Sequence, residues 1–204
     1  MAPTVQPPSG VSQPSVRARH MKSVLQALDA YPDAADLRAR LPSGLVVAIE
    51  EAHGADWLPA ELNVQLVAAL ADALGSAEFM AMSRRLVLAS FSGPMLSTLV
   101  RTATTLFGDD PASWARWIPH GWSLVFRGCG AWHVTIRDQE AVLHLAGLPP
   151  ACAASRVWVE SVAASMVAVL DLLKRDGSMT LASTTFAGAS YLLRWEAARS
   201  RTAA

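Results

Sequence analysis

The residues best suited to chemistry gather in one stretch, WIPHGWSLVFRGCGAWHVTIRD, which runs from Trp117 to Asp138. It holds His120, Cys129 and His133, and a further histidine, His144, follows soon after. Three chemistries are open to such a set. A thiol beside an imidazole makes a nucleophile–base pair, here Cys129 with His120 or His133. Paired imidazoles chelate zinc or copper. A Gly-x-Gly loop, here Gly128-Cys129-Gly130, can cradle a phosphate when a helix follows it.

Spacing sorts these options. If Asp138-Gln139 forms a two-residue turn, Arg137 faces Glu140 and the register is set down both strands. Trp132, Val134 and Ile136 then meet Leu145, Leu143 and Ala141 on one apolar face. On the other face Thr135 meets Val142, and His133 meets His144. Two facing imidazoles need a third ligand. Cys129 lies four residues from His133, roughly 13 Å along an extended strand, so it cannot supply one. The pair therefore reads first as surface histidines of a sheet, with a zinc site at His133 and His144 as the alternative. The glycine pair lacks a third glycine and precedes a strand, which makes it a hairpin loop. The sequence has no nucleophile elbow, P-loop, His-Glu-x-x-His or paired Cys-x-x-Cys motif.

Aromatic side chains form the second constellation. Six of the seven tryptophans come after residue 113, so they concentrate where the strands are expected. Trp122, Phe126, Trp132 and Trp195 fall on strands, and Trp158 and Met166 fall on one helical stripe. Such a set more often packs a core, and otherwise lines a pocket for a small apolar or flat ligand between the sheet and the long helix.

The elements that must position these residues follow from periodicity. Residues 1–16 contain four prolines and no charged side chain, so they read as a disordered tail. Residues 17–200 read as a single α+β domain. Its N-terminal half is helical: Arg19–Ala30, Ala34–Leu41, Pro42–Ala52, Pro59–Leu74, Ala77–Phe91 and Pro94–Phe107, then a short helix from Pro111 through Trp117. Alternation then predicts strands at Trp122–Phe126, Trp132–Arg137 and Glu140–Ala146. A long helix over 153–175 and two closing strands, Met179–Phe186 and Tyr191–Glu196, complete an antiparallel sheet packed on that helix.

Composition narrows the partners. With 17 basic and 17 acidic residues the net charge is zero, which gives no footprint for nucleic acid. No apolar run reaches spanning length, so no membrane span is expected. Two cysteines are too few for a disulfide framework, and the N-terminus lacks a secretory pattern, so the expected compartment is the cytoplasm.

The order of helical half, hairpin, long helix and closing hairpin resembles the haem-NO-binding and vinyl-reductase-type ligand-binding domains. The segment DWLPAEL and the closing hairpin through Leu193-Arg194-Trp195 resemble a Myxococcus-type paralogous family of chains of similar length. That resemblance implies no enzymatic activity. Haem-NO domains carry a proximal His in the helix before the sheet and a Tyr-x-Ser-x-Arg clamp for the propionates. His120 stands near the first position but follows Pro119, beyond the expected helix end, and no Tyr-x-Ser-x-Arg occurs. On that ground the chain is expected to take no cofactor, haem included.

The function these observations favour is a non-enzymatic sensory or regulatory module holding a small apolar molecule. A structural protein that buries a homodimer interface is the alternative. The third reading is a small enzyme or metal-binding protein using Cys129 or the His133/His144 pair.

Overall fold

The computed structural model describes residues 13–92 and 97–196. Most of the tail, the start of the helix expected from Pro94 and the end of the expected domain lie outside those residues.

The chain begins with a strand, β1 (Ser15–Arg17), inside the stretch expected to be tail. The cause is Val16, which is fully buried and starts the core. β1 pairs antiparallel with β2 (Trp57–Pro59) and with β3 (Phe126–Arg127) in a small sheet of order β2-β1-β3. Its rim carries Arg17 and Arg127, whose guanidinium carbons lie 3.9 and 4.2 Å from the centre of the Trp57 ring.

Between these strands come the helices α1 (Ala18–Gln26), continued by a 3-10 turn over Ala27–Ala30, α2 (Ala34–Ala39) and α3 (Ser43–Glu51). After β2 follow α4 (Ala60–Leu74), α5 (Ser76–Ser92) and α6 (Ser97–Phe107). Amphipathic spacing sets each interior face. In α4 the apolar side chains of Leu66, Val67, Leu70 and Ala71 are buried, and Gly75 follows the last turn with φ +82°.

α7 (Pro111–Val125) departs most from expectation. Asp110 caps it, its carboxylate accepting from the backbone N–H groups of Ala112 and Ser113 at 3.3 and 3.0 Å. The helix does not stop at Trp117 but runs through Pro119 to Val125, so the expected strand Trp122–Phe126 is mostly helix. An interior proline costs about 3 kcal/mol. The buried stripe Trp114, Ala115, Ile118, Trp122 offsets that cost, because only a continued helix puts all four inward.

Past the tight loop at Gly128 and Gly130, both at positive φ, come β4 (Ala131–Arg137) and β5 (Glu140–Ala146). A side chain at Gly130 would stand 2.9 Å from the Ala146 carbonyl oxygen, which explains the second glycine. The hairpin register matches the expected one pair for pair, from Trp132 opposite Leu145 to Arg137 opposite Glu140. The long helix is three pieces: α8 (Pro150–Ala154), α9 (Arg156–Met166) and α10 (Ala168–Leu172). Ser155 makes the first break, its hydroxyl accepting from the Trp158 backbone N–H at 3.4 Å. β6 (Gly177–Thr185) and β7 (Gly188–Trp195) complete an antiparallel sheet of order β4-β5-β7-β6. Its inner face, with Leu143, Leu145, Tyr191 and Leu193 fully buried, packs on α7 and α9. The architecture is α+β. Among the described residues no helix is long and apolar enough to cross a membrane.

Candidate functional site

An apolar cavity of about 240 Å³ lies among helices. The expected place, between the sheet and the long helix, is filled: Trp132 sits edge-on to Trp122 with centroids 5.5 Å apart and touches Tyr191 at 5.5 Å. Trp195 is buried at the end of β7, opposite Gly177. These two tryptophans are core. The other four expected residues, Trp122, Phe126, Trp158 and Met166, do line the cavity. They line it from the side of α9 that faces α5, and only Phe126 comes from a strand.

Each wall has an evident origin. α7 contributes Ile118, Gly121 and Trp122 because it continues past Pro119. α5 contributes Phe79, Met82, Ser83 and Leu86, α9 Trp158, Val162 and Met166, and α1 His20 and Val24. Trp122 and Phe126 stack at 3.9 Å with planes 19° apart, and each meets Trp158 edge-on at 6.2 Å. The Trp158 indole donates to the Asn63 side-chain Oδ1 at 2.8 Å, which fixes that ring. The Trp122 indole N–H is buried without a partner among the described residues.

The polar lining is sparse. Ser23, Ser83, Ser90 and Ser161 donate their hydroxyls to carbonyls of their own helices, at 3.0, 2.9, 2.7 and 2.7 Å. With their protons committed, these hydroxyls offer lone pairs to the cavity. His20 packs against Phe126 with centroids 5.9 Å apart, and burial pushes its pKa down to about 4. It is therefore neutral at pH 7, the form of imidazole that ligates metals. His20 was not among the expected site residues. The available signal was its i,i+4 spacing to Val24, on a helix whose Met21 and Leu25 are core.

The other chemical candidates are dispersed. His133 is exposed and His144 half-buried on the outer face of the sheet, with ring centroids 6.4 Å apart. His144 Nδ1 shares a hydrogen bond with the Ser190 hydroxyl at 2.9 Å. No group of three or more His, Cys, Asp or Glu suited to a metal occurs among the described residues. His120 is exposed on α7 beside Trp117, with ring centroids 5.2 Å apart. Cys129 is buried with its thiol toward the Arg127 and Ser15 carbonyls at 3.4 and 3.7 Å. Its close neighbour is Cys152, whose thiol donates to it. That bond and burial together hold Cys152 well above the ordinary thiol range. Among the described residues no imidazole hydrogen-bonds Cys129, so the expected nucleophile–base pair does not form.

The fold is a helical half closed by a hairpin, an interrupted helix and a second hairpin, with a cavity between α1, α5, α7 and α9. Solved structures of H-NOX domains are similar to it. The Fe(II) unliganded H-NOX protein from K. algicida superposes with TM-score 0.59 at 7% identity, covering 89% of this chain and 97% of that one. An oxygen-binding H-NOX domain related to soluble guanylate cyclases, in its oxygen complex, gives 0.58 at 8%, covering 89% and 95%. A mutant of T. Tengcongensis H-NOX gives 0.54 at 6%, covering 89% and 97%. The chain thus has the H-NOX fold. No family model matches it, and no curated protein does.

This corrects the expectation that the chain takes no cofactor. That expectation rested on placing His120 past a helix end and on the missing clamp. The structure puts His120 inside α7, in a fold shared with H-NOX domains, one of them described in terms of haem distortion. The chain's own residues answer the question of fit in two parts. The donors fit, because His20, Met82 and Met166 line the cavity and imidazole and thioether both ligate haem iron. They are not at the family's position, since His120 turns outward. The space does not fit a tetrapyrrole as it stands: the cavity's 240 Å³ is below the roughly 300–1,000 Å³ of pockets for drug-sized ligands.

Proposed function

We propose that the chain is a sensory module that holds a small, flat, largely apolar molecule in the cavity between α1, α5, α7 and α9, and acts by binding rather than turnover. The observation that carries this reading is the stacked Trp122–Phe126 pair, with Trp158 edge-on to both rings and neutral His20 against Phe126. Aromatic walls bury a flat ligand, and a few convergent polar groups orient it. The committed serine protons favour a ligand that brings its own N–H or O–H donor. Two buried free thiols accord with a reducing, cytoplasmic setting.

Haem is the second reading, favoured by a neutral imidazole in the cavity of an H-NOX fold. A haem, if taken up, would be held through the His20 imidazole and would supply iron able to take a diatomic gas, although the cavity as it stands is too small for the ring.

Native mass spectrometry of the full chain, followed by titration with haemin, separates the two. An organic adduct, or saturable binding of 2-naphthol without a Soret band, supports the first reading. A Soret band lost in His20→Ala assigns haem. A chain that takes up neither haemin nor 2-naphthol overturns both.

A further inference from the structure

A second, smaller cavity of about 60 Å³ lies between α5, α6, α7 and α10 and shares Phe91, Ile118 and Gly121 with the main one. Its own lining is Val100, Trp114, Trp117 and Val169, entirely apolar. Of the three shared residues only Gly121 has no side chain. A Cβ built on Gly121 would meet no atom within 4 Å outside its own helix backbone, and both cavities reach this residue.

Gly121 is also costly where it stands. It lies in the interior of α7 at an ordinary helical φ, a place where alanine serves the helix better. Nothing in the packing excludes a methyl group there. The gap left by the missing side chain is the remaining use for it.

We infer that Gly121 is a specificity-determining residue: it admits an apolar branch of the ligand from the main cavity into the smaller one. This rests on the proposed function, and it narrows the ligand class. The occupant has a flat head carrying a hydrogen-bond donor, placed against Trp122, Phe126 and the serine acceptors. From that head extends a short aliphatic arm that passes Gly121 and ends against Val100 and Val169.

The test uses two fluorescent probes on the full chain, 2-naphthol and 6-hexyl-2-naphthol. A few methylenes buried in the small cavity make the hexyl probe bind roughly tenfold or more tighter. Gly121→Leu closes the passage and removes that preference, and the unchanged 2-naphthol affinity, within about twofold, is read on Val100→Phe, which lies outside the main cavity. Val100→Phe fills the small cavity from α6 and removes the preference without touching the main one. Gly121→Ala guards against misfolding and has opposed effects: Tm rises by roughly 2–4 °C from better helix propensity, while the hexyl preference falls. A role for Gly121 in packing alone would move stability and binding together. If 2-naphthol binds and the hexyl preference is absent, or survives Gly121→Leu, this inference fails and the proposed function stands. If neither probe binds, both fail.

Discussion

The sheet and the helical half of this molecule were built to different tolerances. On the inner face of β4-β5-β7-β6, Leu143, Leu145, Tyr191 and Leu193 are each fully buried. Between α1, α5, α7 and α9 the chain leaves about 240 Å³ unfilled, although protein interiors are otherwise close-packed. A void among helices gives up dispersion contacts that the sheet retains. The sheet is the close-packed part, and the helices leave the space that the proposed ligand would occupy. Regions that bind and respond are drawn from the less tightly packed part of a fold.

Truncation tests this contrast most strongly. Leu143→Ala removes a fully buried side chain from the sheet, with an expected loss of about 3–4 kcal/mol in urea unfolding. Met166→Ala trims a half-buried side chain already facing empty space, and should lose only about 1 kcal/mol. Equal losses would show that the cavity is packed in solution, and the contrast would collapse.

The next effect is on pH dependence. Burial lowers His20 from 6.5 to about 4, so between those values the unfolded chain binds more protons than the folded one. His20 therefore leaves stability intact above about pH 6.5 and erodes it as pH falls toward 4. About 2 kcal/mol should disappear between pH 7 and pH 5 on this account. His20→Phe keeps a ring against Phe126 and should flatten the profile by that amount. Measuring the difference between the two proteins removes the contribution of every other titrating group. An unchanged profile would place His20 in water and remove the polar edge of the cavity.

The two halves also differed in how plainly the sequence displayed them. Strand alternation is local: Trp132, Val134 and Ile136 on one side and the Arg137–Glu140 pair on the other determine a register without reference to the rest of the chain. The cavity is not local, since it takes residues from β3 and five helices. Its recognition required knowing that α7 outlasts Pro119, which only the burial of Trp122 under the sheet decides. The same alternation of Trp122, Leu124 and Phe126 that suggested a strand is compatible with the last helical turn and the first residue of β3. Val16 was hidden for a related reason: one buried valine among prolines has no periodicity to reveal it. Trp122, Phe126, Trp158 and Met166 could be named as a set from composition, whereas the partition between them and the core residues Trp132 and Trp195 depends on which side of α9 each one meets.

The smallest predicted effect bears on the most conspicuous chemical pair. His133 and His144 lie on the outer face of the sheet with rings 28° from parallel, and cross-strand pairs of this kind contribute roughly 0.2–1 kcal/mol. His133 is exposed, so His133→Ala gives back water contact rather than opening a void, and the expected loss is within about 0.5 kcal/mol. Replacing His144 also removes the hydrogen bond shared with Ser190, for which a further loss of about 1 kcal/mol is expected. Urea midpoints of the two single variants and the double variant measure the pair directly, because any excess over additivity is the interaction itself. A loss above about 2 kcal/mol for His133→Ala would be incompatible with an open outer face. It would mean that something covers this side of the sheet in solution, and the division into a supporting sheet and a binding helical half would have to be redrawn.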